Sequence, residues 1–125
     1  MVDEPTFRIE GLDHVAIEVA DLDAAERWYA EVLGLERAIP EWDPPRVMAG
    51  GGGGVALFPV DGDSVEPLPG MNHIAFRVDR ASFDAARERL PERGVELRFS
   101  DHGQSHSVYF EDPDGHRLEL TTYEV

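Results

Sequence analysis

The chain has no cysteine and no lysine among its 125 residues. Without cysteine, neither a disulfide framework nor a thiolate metal site can form. Without lysine, all 11 basic residues are arginine, set against 26 acidic ones for a formal net charge of −15. Such a surface repels nucleic acid and anionic membranes, which sets both aside as partners. It fits either a GC-rich genome that avoids lysine codons or a host with high internal salt. Long apolar runs are missing too. The longest, Val55 to Val60, is far too short to span a bilayer. The opening Met1-Val2-Asp3-Glu4-Pro5 lacks the basic region and apolar stretch of a secretory leader, so a cytoplasmic protein is expected. The remainder, 42% hydrophobic with dispersed aromatics, suffices for a single globular domain over residues 1–125.

What is present is a repeat. Gly11-Leu12-Asp13-His14-Val15-Ala16-Ile17-Glu18-Val19 returns 59 residues later as Gly70-Met71-Asn72-His73-Ile74-Ala75-Phe76-Arg77-Val78. Glycine, histidine, alanine and valine coincide, and most other positions agree in character. A recurrence of this kind means one supersecondary unit used twice. It also gives each half a histidine at the same place.

Each copy begins with an alternating strand, with Val15, Ile17 and Val19 on one face and His14, Ala16 and Glu18 on the other. Asp21 then caps a predicted helix whose apolar positions are Ala25, Trp28, Tyr29, Val32 and Leu33, stopped by Gly34. The second copy places Phe83, Ala86 and Leu90 similarly, ended by Pro91 and Gly94. Strands are expected at Leu35–Trp42, Arg46–Ala49 and Gly54–Val60, then at Val95–Phe99, Ser105–Glu111 and His116–Thr122. Both halves therefore read β-α-β-β-β, module one over about 8–60 and module two over about 70–125, joined by a connector at 61–69. The glycine run at 50–54 has neither the lysine nor the Ser/Thr of a phosphate loop and reads as a hairpin turn.

The last hairpin, Ser105 to Leu120, turns at Asp112-Pro113-Asp114-Gly115. Parity places Val108, Phe110, Leu118 and Leu120 under the helices and Ser107, Tyr109, Arg117 and Glu119 on the opposite, open face. A register pairing Tyr109 with Glu119 satisfies this, whereas a slip of one residue would bury the carboxylate. His14, His73 and Glu119 thus sit in strands on non-core faces. Two imidazoles and one carboxylate suit divalent iron, manganese or zinc and leave coordination positions open. Arg77 shares the face of His73, where it can meet an anionic substrate or pair with Glu18. His106 reads as packing or a strand-end residue, His116 as solvated, and Trp28 and Trp42 as packing.

The two histidine strands, with Val108-Tyr109, Asp112-Pro113-Asp114-Gly115 and Glu119, resemble the vicinal oxygen chelate superfamily of glyoxalases, extradiol dioxygenases, fosfomycin-resistance proteins and bleomycin-binding proteins. The resemblance runs from about Gly11 to Thr122. It implies an α+β fold of two tandem βαβββ modules, a curled, cup-like mixed sheet with helices outside. It further implies one divalent ion on His14, His73 and Glu119, a small-molecule substrate and a homodimer. In some branches His14 comes from one chain and His73 with Glu119 from the other.

Among the reactions, glyoxalase-type lyases and isomerases use a fourth protein ligand, and aligning Ala56-Leu57-Phe58 with Leu118-Glu119-Leu120 puts Leu57 there. Fosfomycin-resistance thiol transferases share the triad and a Ser-x-Tyr pair like Ser107 and Tyr109. They also use a threonine where this chain has Ala16, and a lysine it lacks, so Arg77 or Arg98 would have to substitute. Extradiol dioxygenases share the triad with ferrous iron, and their signature resembles His102, Val108-Tyr109, Asp112-Pro113 and Glu119. Tyr109 would then hydrogen-bond the substrate or oxygen, and His102 would serve as a proton donor beside it. The further active-site histidine those enzymes place between the two ligand histidines is missing. An extradiol-type enzyme with iron is slightly favoured over a non-redox lyase, isomerase or thiol transferase with manganese, zinc or nickel. A non-catalytic small-molecule binder of the bleomycin type is the third expectation.

Overall fold

In the computed structural model, which describes residues 6–60, 65, 66 and 70–125, the two copies of the repeat head two compact units, Met1–Asp61 and Gly62–Val125. The first runs β1 (Val15–Val19), α1 (Leu22–Leu33), β2 (Glu36–Ala38), β3 (Arg46–Gly50) and β4 (Gly53–Pro59). The second runs β5 (Ile74–Arg77), α2 (Arg80–Arg89), a 3₁₀ turn (Pro91–Arg93), β6 (Arg98–Asp101), β7 (His106–Glu111) and β8 (Arg117–Thr122). The expected connector at 61–69 lies outside the described residues except for 65 and 66.

Each unit forms a four-stranded mixed sheet, in the order β1-β4-β3-β2 in one and β5-β8-β7-β6 in the other. The leading strand pairs in parallel with the last, and the other pairings are antiparallel. The fold is α+β, two tandem βαβββ modules.

The helices begin and end where the side chains dictate. Asp21 accepts a hydrogen bond from the Ala24 amide at 3.0 Å, Gly34 closes α1 at φ 68°, and Asp79 accepts from the Ser82 amide at 2.8 Å. The apolar stripe of α1 buries Ala25 and Tyr29 in a core with Ile17, Val19, Met48, Val55 and Leu57. In the second unit Phe83 of α2 joins Val108, Phe110, Leu118 and Leu120 below the sheet. Between β3 and β4, Gly51 and Gly52 both take positive φ, 62° and 84°, making the two-residue hairpin turn that the glycine run suggested.

Two strands differ from expectation. The stretch predicted at Leu35–Trp42 stops at Ala38, because Ile39 turns to φ 50° and the Trp42 amide folds back onto the Ile39 carbonyl at 3.0 Å. The stretch predicted at Val95–Phe99 becomes a strand only at Arg98. Val95 is drawn into the core and its amide bonds to the Leu90 carbonyl, so pairing starts where Arg98 meets Tyr109.

Candidate metal centre

Tyr109 pairs with Glu119 across β7 and β8, the register that parity required. That face is less open than expected, for Ser107 is fully buried and Glu119 only 7% exposed. The burial has a polar explanation. Ser107 Oγ donates to Glu119 Oε2 at 2.6 Å and shares a 3.1 Å hydrogen bond with the Thr121 hydroxyl. One carboxylate oxygen is thereby held in place. The other, Oε1, lies 2.8 Å from His73 Nε2.

His14 and His73 each stand one residue before their strand, and their rings are fixed in the same way. His14 Nδ1 donates to Asp13 Oδ2 and His73 Nδ1 to Asn72 Oδ1, both at 2.7 Å. With the proton on Nδ1, the Nε2 lone pair is the one free to bind a metal, and the hydrogen bond orients the ring for it. Asp13, Asn72 and Thr121 are hydrogen-bond partners of the candidate site that the sequence reading passed over. The signal was present, since an acid or amide precedes the histidine in both copies.

The donor set fits a divalent first-row ion. Two donors bound to one ion at about 2.1 Å and near a right angle lie roughly 3 Å apart, close to the His73–Glu119 separation. Among the described residues no group of three or more His, Asp or Glu side chains is gathered that could hold a metal. His73 and Glu119 form a pair in the second unit, and His14 belongs to the first.

Beside this pair lie the two candidate proton-handling groups. The Tyr109 ring meets His73 edge-on, with centroids 5.6 Å apart, and its hydroxyl lies 3.1 Å from His102 Nε2. Burial and then the Glu119 carboxylate push the Tyr109 phenol above its usual pKa, so it remains a hydrogen-bond donor. The Arg98 guanidinium covers the ring at 5.0 Å. Arg77, two residues beyond the Ala75–Glu119 pairing, instead stacks on Tyr123 at 4.7 Å. His106 packs between Phe83 and Phe99 and bonds Arg80 at 2.8 Å.

Three other expectations are corrected. His116 is buried, not solvated, because the Asp112 carboxylate accepts its backbone amide and folds the turn over it. Trp42 is 49% exposed and does not pack in the core. Sheet pairing also replaces the equivalence of Leu57 with Glu119. Ala16 pairs with Ala56, while its repeat mate Ala75 pairs with Glu119, so Ala56 occupies the ligand position in the first module. Alanine cannot ligate either, so a fourth protein ligand is still missing there.

The family model for the Glyoxalase/Bleomycin resistance protein/Dioxygenase superfamily matches residues 11–120. The chain belongs to this superfamily. It is 30% identical over 119 residues to a metallothiol transferase FosB of Shouchella clausii, covering 91% of this chain and 81% of that protein. Among solved structures, the fosfomycin resistance protein FosX of Mesorhizobium loti is similar at TM-score 0.70 and 32% identity, covering 92% of this chain and 93% of that one. The oxidase ChaP-H2 is similar at TM-score 0.74 and 28% identity, covering 90% and 92%. The superfamily thus spans group transfer and oxidation, and the scaffold alone does not choose between them.

Proposed function

We propose that this superfamily member is a metal-dependent enzyme that binds a small substrate through two vicinal oxygens at one divalent ion held by His14, His73 and Glu119, with dioxygenase- or oxidase-type chemistry. The observation that carries the reading is the 2.8 Å approach of His73 Nε2 to Glu119 Oε1, beside a Tyr109–His102 pair 3.1 Å apart. When bound, the ion supplies Lewis acidity to the substrate oxygens, and ferrous iron adds redox capacity. The chain does the rest. Asp13 and Asn72 aim the imidazoles, and Ser107 with Thr121 fixes the carboxylate. The Tyr109 hydroxyl donates to a substrate oxygen, and His102 takes or returns the proton through it. The enzyme acts as a homodimer.

Thiol transfer to a phosphonate is the second reading. The FosB and FosX similarity favours it, and so does Arg98 over the Tyr109 ring, a cation placed where an anionic substrate could meet it. Its weakness is the absence of lysine anywhere in the chain.

The test is metal content per chain in protein purified without added metal, beside Glu119→Gln. About one ion per chain, lost in the variant while circular dichroism is unchanged, is the expected result; undiminished affinity removes the triad. The loaded enzyme is then given catechols with oxygen, and separately a phosphonate epoxide with thiol. Oxygen uptake with the former selects the first reading, and thiol consumption with the latter the second.

A further inference from the structure

The two modules have diverged on one face. The pairing that equates Ala56 with Glu119 also equates Val47 with Tyr109 and Phe58 with Thr121. Where the second module carries carboxylate, phenol and hydroxyl around its histidine, the first carries only methyls and a phenyl ring. These residues line a cavity of about 360 Å³ with His14, Trp42, Pro44 and Pro45. That volume lies at the lower end of the range for small-molecule sites, roughly 300–1,000 Å³. Trp42 and Phe58 are 49% and 39% exposed, large rings left uncovered beside a histidine.

The Trp42 loop is held in place. Arg37 donates to the Trp42 carbonyl at 2.9 Å and to Glu26 at 3.2 Å. Arg46 clamps Asp43, Asp23 and Glu26 at 3.0, 2.6 and 3.1 Å, which ties the loop to α1. The same contacts hold both guanidinium groups, with the Arg37 Nε left buried and unpartnered. Apart from His14, no ionisable side chain lines the cavity, and the two arginines flanking its loop are committed to carboxylates.

We infer that this cavity is a binding site for the uncharged aromatic body of the substrate, with Trp42 and Phe58 as the specificity-determining walls. The inference rests on the reading of His14 as a metal ligand: an aromatic ring seated there carries its vicinal oxygens toward the ion while its flat faces meet Trp42 and Phe58. A phosphonate finds no cation in this cavity other than His14, and the Trp42 indole N–H is its one further side-chain hydrogen-bond donor.

The probe is naphthalene-2,3-diol, titrated into ¹⁵N-labelled, metal-free protein. The chain has only two tryptophans, so the indole N–H signals of Trp28 and Trp42 are assigned with Trp42→Phe. The expected result is a saturable shift of the Trp42 signal with Trp28 unmoved, no shift with propylphosphonate, and binding weakened about tenfold in Phe58→Ala. A stationary Trp42 signal, or equal response to both probes, overturns the inference. So does a Trp42 shift that follows protein concentration without ligand, since a second copy then covers the wall. Metal is absent throughout, so loss of the metal reading in the Glu119→Gln experiment leaves this result standing, and failure here leaves the triad untouched.

Discussion

At the scale of single residues, each histidine ring is oriented by the side chain that precedes it. Asp13 and Asn72 are both at the surface, so neither supports the core, and each makes one hydrogen bond of 2.7 Å to an Nδ1. Removing such a partner from a metal-binding histidine typically weakens metal affinity about 10- to 100-fold. Asn72→Ala is therefore expected to weaken binding of a divalent ion by that factor in calorimetric titration, with thermal stability nearly unchanged. Asn72→Asp, which keeps an acceptor at the same reach, is expected to retain most of the affinity. If Asn72→Ala binds metal like the parent, the ring is held by something other than this bond. The repeat made both histidines visible in the sequence, because identical residues at one offset stand out. Their neighbours left a weaker signal, an acid in one copy and an amide in the other, and the hydrogen-bond reach that gives it meaning is a property of conformation.

At the scale of elements, what periodicity and caps can specify was legible, and what depends on distant partners was not. The boundaries of α1 follow from Asp21 and Gly34, and the β7–β8 register follows from which residues must be buried. Edge strands β2 and β6 were misjudged because each has one partner, so its length is set by where that neighbour continues, not by its own composition. The alignment of β4 with β8 slipped by one residue because Ala56-Leu57-Phe58 is apolar throughout and shows no alternation. Only the pairing with β1 reveals which residue faces the core. That register makes its own prediction. Both residues are buried, but Ala56 lines the cavity beside His14 and Leu57 does not. Leu57→Glu is expected to cost about 3–5 kcal/mol in urea unfolding, the penalty of an uncompensated buried charge. Ala56→Glu is expected to cost less than half of that, since its carboxylate can reach the cavity. Equal costs, or the reverse order, would place β4 in the other register.

At the scale of the whole molecule, the proposed donors are divided between two units, and the homodimer proposed above raises the question of whose His14 serves whose Glu119. The segment just before His14 bears on the answer. Phe7, Ile9 and Leu12 are 73–79% exposed, more apolar side chain than a monomeric surface usually leaves in one short stretch. A second copy covering that segment would bring its own His14 close to the exchange, and on the proposed homodimer the site is expected to form across two chains. His14→Ala and Glu119→Gln should each abolish metal binding alone. When the two purified variants are mixed and allowed to exchange subunits, a mixed dimer unites the intact His14 of one chain with the intact His73 and Glu119 of the other at one of its two positions. Random exchange makes half of the dimers mixed, so metal binding should return at about a quarter of all sites. Sites closed within single chains would stay empty however long the mixture stands, because every chain in it lacks one ligand. The measurement therefore distinguishes the two arrangements without knowledge of the substrate, and the fraction recovered reports how freely the dimers exchange.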